Sequence, residues 1–230
     1  MREGSTLLFD CTNRWLLVGL VRSGREFFSS ESAPRDAFQR LSPMIQNVLE
    51  EAGLQKPDCI VCTVGPGSFT GIRVGVTAGR SLAQLWKVPV LGIESLRFYC
   101  YEVFKQTSGK SGPLGVMVDG KQKRVYATSA PNISELVEAV ALKQYDIAPD
   151  ELQNRERNTR FFADDPDTVL QYAGPGSTLR LEALPTPRLA TLFELAQLVS
   201  KTRPAGPWQE LRPLYLRADS ATVRFPGGFK

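Results

Sequence analysis

Apolar and polar positions alternate at the start of the chain, then give way to a helical period. Thr6–Asp10 reads as a strand, Thr12-Asn13-Arg14 as a turn, and Trp15–Val21 as a second strand. Ser23-Gly24 is a two-residue turn into a third strand, Arg25–Ser29, so the chain opens as an antiparallel meander. Pro34 suits the first turn of a helix whose apolar face is Leu41, Ile45, Val48, Leu49 and Ala52. Pro43 should kink or restart that helix with Ser42 as cap, and Gly53 should close it. The unbroken apolar run in Cys59–Val64 predicts a strand buried on both faces. A glycine turn, Gly65-Pro66-Gly67-Ser68-Phe69-Thr70-Gly71, then opens a helix to about Trp86. Pro89–Gly92 is a short strand, and Ser95 caps a helix to about Lys105.

The polar stretch Thr107–Gly112 marks a boundary. It divides the chain into an N-terminal lobe at 1–107, a smaller C-terminal lobe at 113–220 and a loose tail at 221–230. The second part opens with the strand Leu114–Val118, ending in Asp119-Gly120, and a turn at Lys121–Lys123 leads into the strand Arg124–Ser129. No clear period runs through 132–165, apart from a strand at Arg160–Ala163. Leu189–Ser200 is a helix with Leu189, Leu192, Phe193, Ala196 and Val199 on one face, and the tail from Pro204 is proline-rich. One echo links the halves. The same offset of 109 residues separates Asp10 from Asp119 and Gly65-Pro-Gly-Ser68 from Gly174-Pro-Gly-Ser177. That pattern suggests a duplicated α/β unit of the actin-like kind.

Composition narrows the chemistry. The 230 residues are 42% hydrophobic and 23% charged, ordinary for a soluble globular protein. No apolar run approaches the ~18 residues of a membrane span, and the start lacks the pattern of a secretory signal. A cytoplasmic protein without membrane contact is expected. The formal charge of +4 is scattered, and its densest runs, Lys121–Arg124 and Arg155–Arg160, read as solvated turns. Cys59 and Cys62 have metal-like spacing, but residues three apart on a strand point to opposite faces, so they read as small hydrophobes. Histidine is absent. That excludes a Ser-His-Asp triad, a Cys-His pair and histidine-based metal motifs.

Two readings fit the glycine turn. It could cradle an anion, with exposed N–H groups at a helix N-terminus, or it could be purely structural. Gly65, Gly67 and Gly71 match neither the dinucleotide nor the phosphate-loop fingerprint. The helix behind it carries Gly71, Gly75, Gly79 and Ala83 in one stripe, at a cost of about 1 kcal/mol per glycine against alanine. Close backbone approach by another element would offset that cost. The stripe could pack on its own sheet. Alternatively Val74, Ala78, Leu82 and Leu85 face the sheet and the stripe meets a partner.

The string Val64–Ala83 closely resembles the signature of the TsaB (YeaZ) family of bacterial tRNA threonylcarbamoyladenosine biosynthesis proteins. Leu8-Phe9-Asp10-Cys11-Thr12 is similar to that family's opening strand, and Pro89–Leu96 to its next strand and helix start. Asp119–Tyr126 resembles its second hairpin and Pro213–Arg217 its C-terminal strand. The likeness is strong over 5–100 and patchy over 113–217. Three departures stand out: no histidine near Pro34–Phe38, Arg124 in place of the family's frequent glutamate, and weak similarity over 130–200.

The resemblance implies an α/β, actin-like/RNase H-like (ASKHA) duplicated fold of two lobes, the second reduced. It implies a subunit with no catalytic residues, no metal and no cofactor. Such a subunit pairs through its N-terminal lobe with a TsaD-like catalytic subunit, is joined by a TsaE-like ATPase, forms a homodimer in isolation, and meets tRNA only through the complex. By position, the interface would comprise Phe69, Thr70, Gly71, Arg73, Gly75, Gly79, Arg80 and Ala83, flanked by the helix from Pro34 to Ala52. Asp10, Thr12, Gly65, Gly67 and Ser68 would form a vestigial phosphate loop. The competing reading is an actin-like small-molecule kinase or ATPase, with Asp10, Thr12 and Asp119 facing Mg-nucleotide. The missing histidine counts against a peptidase, and a direct RNA-binding module is the weakest alternative.

Overall fold

The computed structural model describes residues 4–32, 37–107 and 112–217. Pro34, most of the Thr107–Gly112 stretch and the 221–230 tail lie outside the described residues. The first sheet contains β1 (Ser5–Asp10), β2 (Trp15–Arg22), β3 (Arg25–Ser32), β4 (Cys59–Thr63) and β5 (Val90–Ile93), in the order β3-β2-β1-β4-β5. The central β1 runs antiparallel to β2 and parallel to β4. Helix α1 (Ala37–Glu51) joins β3 to β4, α2 (Phe69–Trp86) joins β4 to β5, and α3 (Ser95–Gln106) follows β5.

The second sheet contains β6 (Leu114–Asp119), β7 (Val125–Ala130), β8 (Gln144–Ile147), β9 (Arg160–Ala163) and β10 (Leu181–Ala183). Its order, β10-β9-β6-β7-β8, repeats the first sheet's winding strand for strand. Between its strands lie α4 (Ile133–Glu138), α5 (Pro149–Arg155) and α6 (Pro166–Tyr172), with α7 (Leu189–Val199) after β10. The unit is duplicated and its second copy is reduced: α5 and α6 have 7 residues each, against 15 and 18 in α1 and α2.

The last helix of each unit packs across onto the other. α3 lies against β6 and β7, α7 lies against β1 and β2, and the two helices touch. One core therefore joins Leu8, Leu17 and Val61 to Val116 and Val118 through Phe98, Tyr99, Leu192 and Leu195. A second core fills the other face of the first sheet, under α1 and α2. The segment after α7 returns to the first unit as a strap. Gly206 bridges edge strand β5 at Val90, and the Leu214 N–H donates to the Val64 carbonyl at 2.8 Å.

Four local expectations are corrected. α1 runs unbroken through Pro43, and Ser42 caps nothing. Pro43 faces water while Leu41, Met44, Ile45, Val48 and Leu49 form a continuous buried stripe, which outweighs one missing hydrogen bond. Ser95 does not cap α3: Glu94 holds the cap position without a side-chain bond, and Ser95 turns its hydroxyl inward. Pro213–Arg217 forms no strand. The Gly-Pro-Gly-Ser echo is out of structural register. Gly65–Ser68 follows β4, whereas Asp164-Asp165-Pro166-Asp167 follows its counterpart β9 and Gly174–Ser177 lies beyond α6. The duplication is real, but that string match is coincidence.

Candidate docking face and interlobe cleft

The residues named as a vestigial phosphate loop do come together, at the ends of β1 and β4. Asp10 is fully buried, and its carboxylate is saturated by its own chain. Oδ1 accepts from the Thr12 N–H at 2.8 Å, the Thr12 hydroxyl at 2.7 Å and the Thr63 hydroxyl at 2.5 Å. Oδ2 accepts from the Tyr99 hydroxyl at 2.6 Å. Burial and the nearby Asp10 charge push the Tyr99 hydroxyl well above its ordinary range, so it stays a donor. Tyr99 and Ser95 sit four apart on one face of α3, and that pair of polar residues at helical spacing was the available signal for them.

Part of the glycine turn is bonded within the chain in the same way. The Gly65 N–H donates to Ser95 Oγ at 3.1 Å, the Ser68 N–H to the Thr12 carbonyl at 2.7 Å, and the Gly71 N–H to Ser68 Oγ at 3.3 Å. Gly67 is required because a Cβ there would overlap the Thr12 carbonyl. Three of the turn's N–H groups are thus taken up within the chain.

Beyond the turn lies a cleft of about 620 Å³ between the units, lined by Asn13, Arg14, Phe69, Asp119, Lys121 and Asp164 among others. Lys121 pairs with Asp119 across a turn in which Lys121, Gln122 and Lys123 all have positive φ. Arg14 donates to the Asp164 carbonyl at 2.7 Å, tying the first hairpin to the second unit. Burial lifts the Asp164 carboxyl to about 6, although the N–H groups of Asp119 and Asp165 donate to it. Among the described residues no cluster of three or more histidine, cysteine or acidic side chains could hold a metal ion. Cys11 and Cys62 are buried, and burial pushes both thiols up, Cys62 to about 12.

Helix α2 reverses the expected orientation. Gly71, Gly75, Gly79 and Ala83 are all buried, and they face the sheet. A Cβ on Gly71 would overlap the Cys11 carbonyl, and one on Gly79 would lie 3.0 Å from Cys62 Sγ and 3.1 Å from Leu211. The glycines let α2 lie flush on β1 and β4. Arg80 is also turned inward along the surface, donating to the Leu211 carbonyl at 3.0 Å and lying over the Trp208 ring. Val74, Ala78 and Leu82, expected against the sheet, are half-buried along the edge of the second core, and Leu85 is exposed.

Large apolar side chains are exposed among polar ones on this helix pair. Phe38 is 77% exposed, Leu85 71% and Phe69 45%. A groove of about 450 Å³ between α1 and α2 is lined by Phe38, Leu41, Phe69, Arg73, Val74 and Ala78 among others. The Arg73 guanidinium stacks 3.8 Å from the centroid of the Phe69 ring. Of the expected interface residues, Phe69, Thr70 and Arg73 are exposed on this face, while the glycines and Ala83 are not.

Two like-wound sheets, with a cleft at the ends of their central strands, define a protein of the actin-like α/β class. Residues 29–164 match the family model described as TsaD: tRNA N6-adenosine threonylcarbamoyltransferase. The chain belongs to this family. It is 24% identical over 238 aligned positions to the tRNA threonylcarbamoyladenosine biosynthesis protein TsaB of Haemophilus influenzae, covering 99% of both chains. It is 29% identical to TsaB of Escherichia coli over 52% of each. The structure of YeaZ from Pseudomonas aeruginosa superposes with a TM-score of 0.74 at 23% identity, covering 92% of this chain and 99% of that one. Among the described residues no helix is long and apolar enough to cross a membrane.

Proposed function

We propose that this chain is a non-catalytic subunit of tRNA threonylcarbamoyladenosine biosynthesis, acting by pairing its α1–α2 face with a TsaD-type catalytic subunit. One observation carries the reading: the largest exposed apolar side chains of the first unit's helices, Phe38, Phe69 and Leu85, lie along the outer side of that helix pair. Apolar surface of this kind marks an interaction site. The groove between the helices offers small side chains at Thr77 and Ala78, into which a partner's ridge of large ones can pack. A partner of the same fold carries an equivalent helix pair, so a pseudo-twofold contact suits both surfaces. The names of the Haemophilus and Escherichia relatives support the pathway.

The non-catalytic role is supported by the four hydrogen bonds that the buried Asp10 carboxylate accepts from its own chain. The chain pairs with itself through the same face when alone, is joined by a TsaE-type ATPase in the complex, and meets tRNA there, in the cytoplasm. The decisive experiment mixes the purified chain with a TsaD-type subunit and follows complex formation by calorimetry and gel filtration. Phe38→Asp combined with Leu85→Asp should weaken pairing at least tenfold with the melting temperature retained. Unchanged pairing would overturn the reading.

The interlobe cleft favours one second reading, an actin-like kinase or ATPase. Calorimetry with Mg-ATP separates the two, since micromolar binding by the isolated chain would revive it.

A further inference from the structure

The strap after α7 has a course that its length alone does not explain. Leu211 enters a notch left by two glycines: a Cβ would lie 3.1 Å from it at Gly79 and 2.9 Å from it at Gly92. Arg203 holds the strap's beginning to Glu94 at 3.0 Å, and the Leu214 N–H bonds the Val64 carbonyl. Tyr215 then lies on Phe69, with ring centroids 5.5 Å apart and planes tilted by 41°. Two residues later the strap leaves the first unit for the second. Arg217 donates to both Asp146 oxygens at 2.7 and 2.8 Å and to the Gly120 carbonyl at 3.1 Å, with its guanidinium over the Tyr126 ring.

Phe69 is therefore contacted by Arg73 on its own helix and by Tyr215 on the strap. It also stands on the wall shared by two hollows, the α1–α2 groove and the interlobe cleft. Tyr215 is 41% exposed beside it, so the exposed apolar surface continues from α2 onto the strap.

We infer that Tyr215 is part of the docking surface for the TsaD-type subunit, and that Arg217 is a positioning residue that anchors it to the second unit. This rests on the pairing reading above. Three observations carry it: the continuity of exposed aromatic surface from Phe69 to Tyr215, the stacking that fixes both rings before any partner arrives, and an anchor of four hydrogen-bond contacts, counting Gln122 Oε1 at 3.2 Å. Two stiff, preorganised aromatic rings lose little entropy on binding, which suits them to be anchors. The second unit thereby acts on pairing without touching the helix groove itself.

The test measures affinity for the TsaD-type subunit by calorimetry, together with the melting temperature of the chain alone. Tyr215→Ala should raise Kd about tenfold, Tyr215→Phe should leave it unchanged, and Arg217→Gln should raise it severalfold. Tyr215→Ala should add little in a Phe69→Ala background, because the two rings act as one unit. Tyr215→Leu retains apolar bulk and serves if the alanine variant does not fold. A merely structural strap would lower the melting temperature and leave Kd unchanged in every folded variant. If the Tyr215 variants bind normally while Phe69→Ala weakens binding, this inference falls and the pairing reading stands. If the Phe69 and Phe38 variants also bind normally, both fall. A loss confined to self-association of the chain overturns the choice of partner.

Discussion

α2 and α6 occupy the same place in the two units, each following the strand parallel to the central one and leading to the sheet's edge. α2 has 18 residues, an underside of three glycines and Ala83 flanked by Ile72 and Val76, and two large exposed apolar side chains, Phe69 and Leu85. α6 has 7 residues and buries only Val169. Their entrances differ as much. Ser68 caps α2 by accepting from the Gly71 N–H at 3.3 Å behind a glycine turn, while Asp165 caps α6 by accepting from the Thr168 N–H at 3.1 Å behind Asp164. A helix can turn large apolar side chains outward if its underside seats closely along a stripe of small residues. The glycine stripe gives α2 that seat, and α6 has nothing comparable. The first unit carries the surface, and the second, through the strap, braces it.

The largest expected effect breaks the seat itself. Gly71→Ala drives a methyl group into the Cys11 carbonyl, which cannot yield without moving β1. It should destabilise the chain by about 3 kcal/mol or more, read as a lower urea midpoint. An unchanged midpoint would mean that α2 is not seated as described.

Next is a buried carboxyl just after β9, where no acidic residue follows β4 in the first unit. Asp164 stands in the neighbourhood where the first unit has Thr63 and the glycine turn. Its carboxyl is raised from 3.8 to about 6 in the folded chain, mainly by burial. The folded state therefore binds this proton more tightly than the unfolded state. The advantage is present at about pH 4 and is lost as pH rises through 6. Ionised Asp164 then costs about 3 kcal/mol at neutral pH. Asp164→Asn, measured against the parent by urea unfolding at pH 5 and pH 8, should stabilise more at pH 8. The reverse order would refute the assignment.

A smaller effect separates the two outer faces. Leu85→Glu on α2 should weaken pairing about tenfold, or about 1.4 kcal/mol, while Leu170→Glu on α6 should not change it. Equal effects would remove the asymmetry between the units. The smallest effect concerns the echoed turn. A Cβ on Gly174 meets only Asp150 Oδ2, at 3.5 Å, so Gly174→Ala should move the urea midpoint by no more than about 0.5 kcal/mol equivalent. Its contrast with Gly65→Ala, where a Cβ would lie 2.5 Å from the Leu214 carbonyl, tests whether the two Gly-Pro-Gly-Ser strings have different structural surroundings.

Much of the first unit was legible because its signals are local. The meander, the apolar run of β4, the helix after the glycine turn and Gly53 with its positive φ of 65° all appear where the pattern places them. The second unit was harder to read because α4, α5 and α6 are too short to show a period. Ser95 illustrates the limit. Its position before an apolar run fits a cap, but a bond to Gly65, thirty residues away, claims its hydroxyl.

The sequence by itself determined that α2 has two packable faces, since residue spacing alone separates Gly71, Gly75, Gly79 and Ala83 from Val74, Ala78, Leu82 and Leu85. It also determined that no histidine chemistry exists here. Only the tertiary structure decided which face looks inward. Spacing fixes relative angles around a helix but not the rotation of the helix on its sheet. That rotation is set by what lies beneath: the Cys11 carbonyl, Cys62, Phe9 and Leu211 leave room for hydrogen atoms and little more. The same holds for Asp10, whose carboxylate looks available in the sequence and is consumed in the fold by Thr63 and Tyr99, residues that long-range folding brings to it.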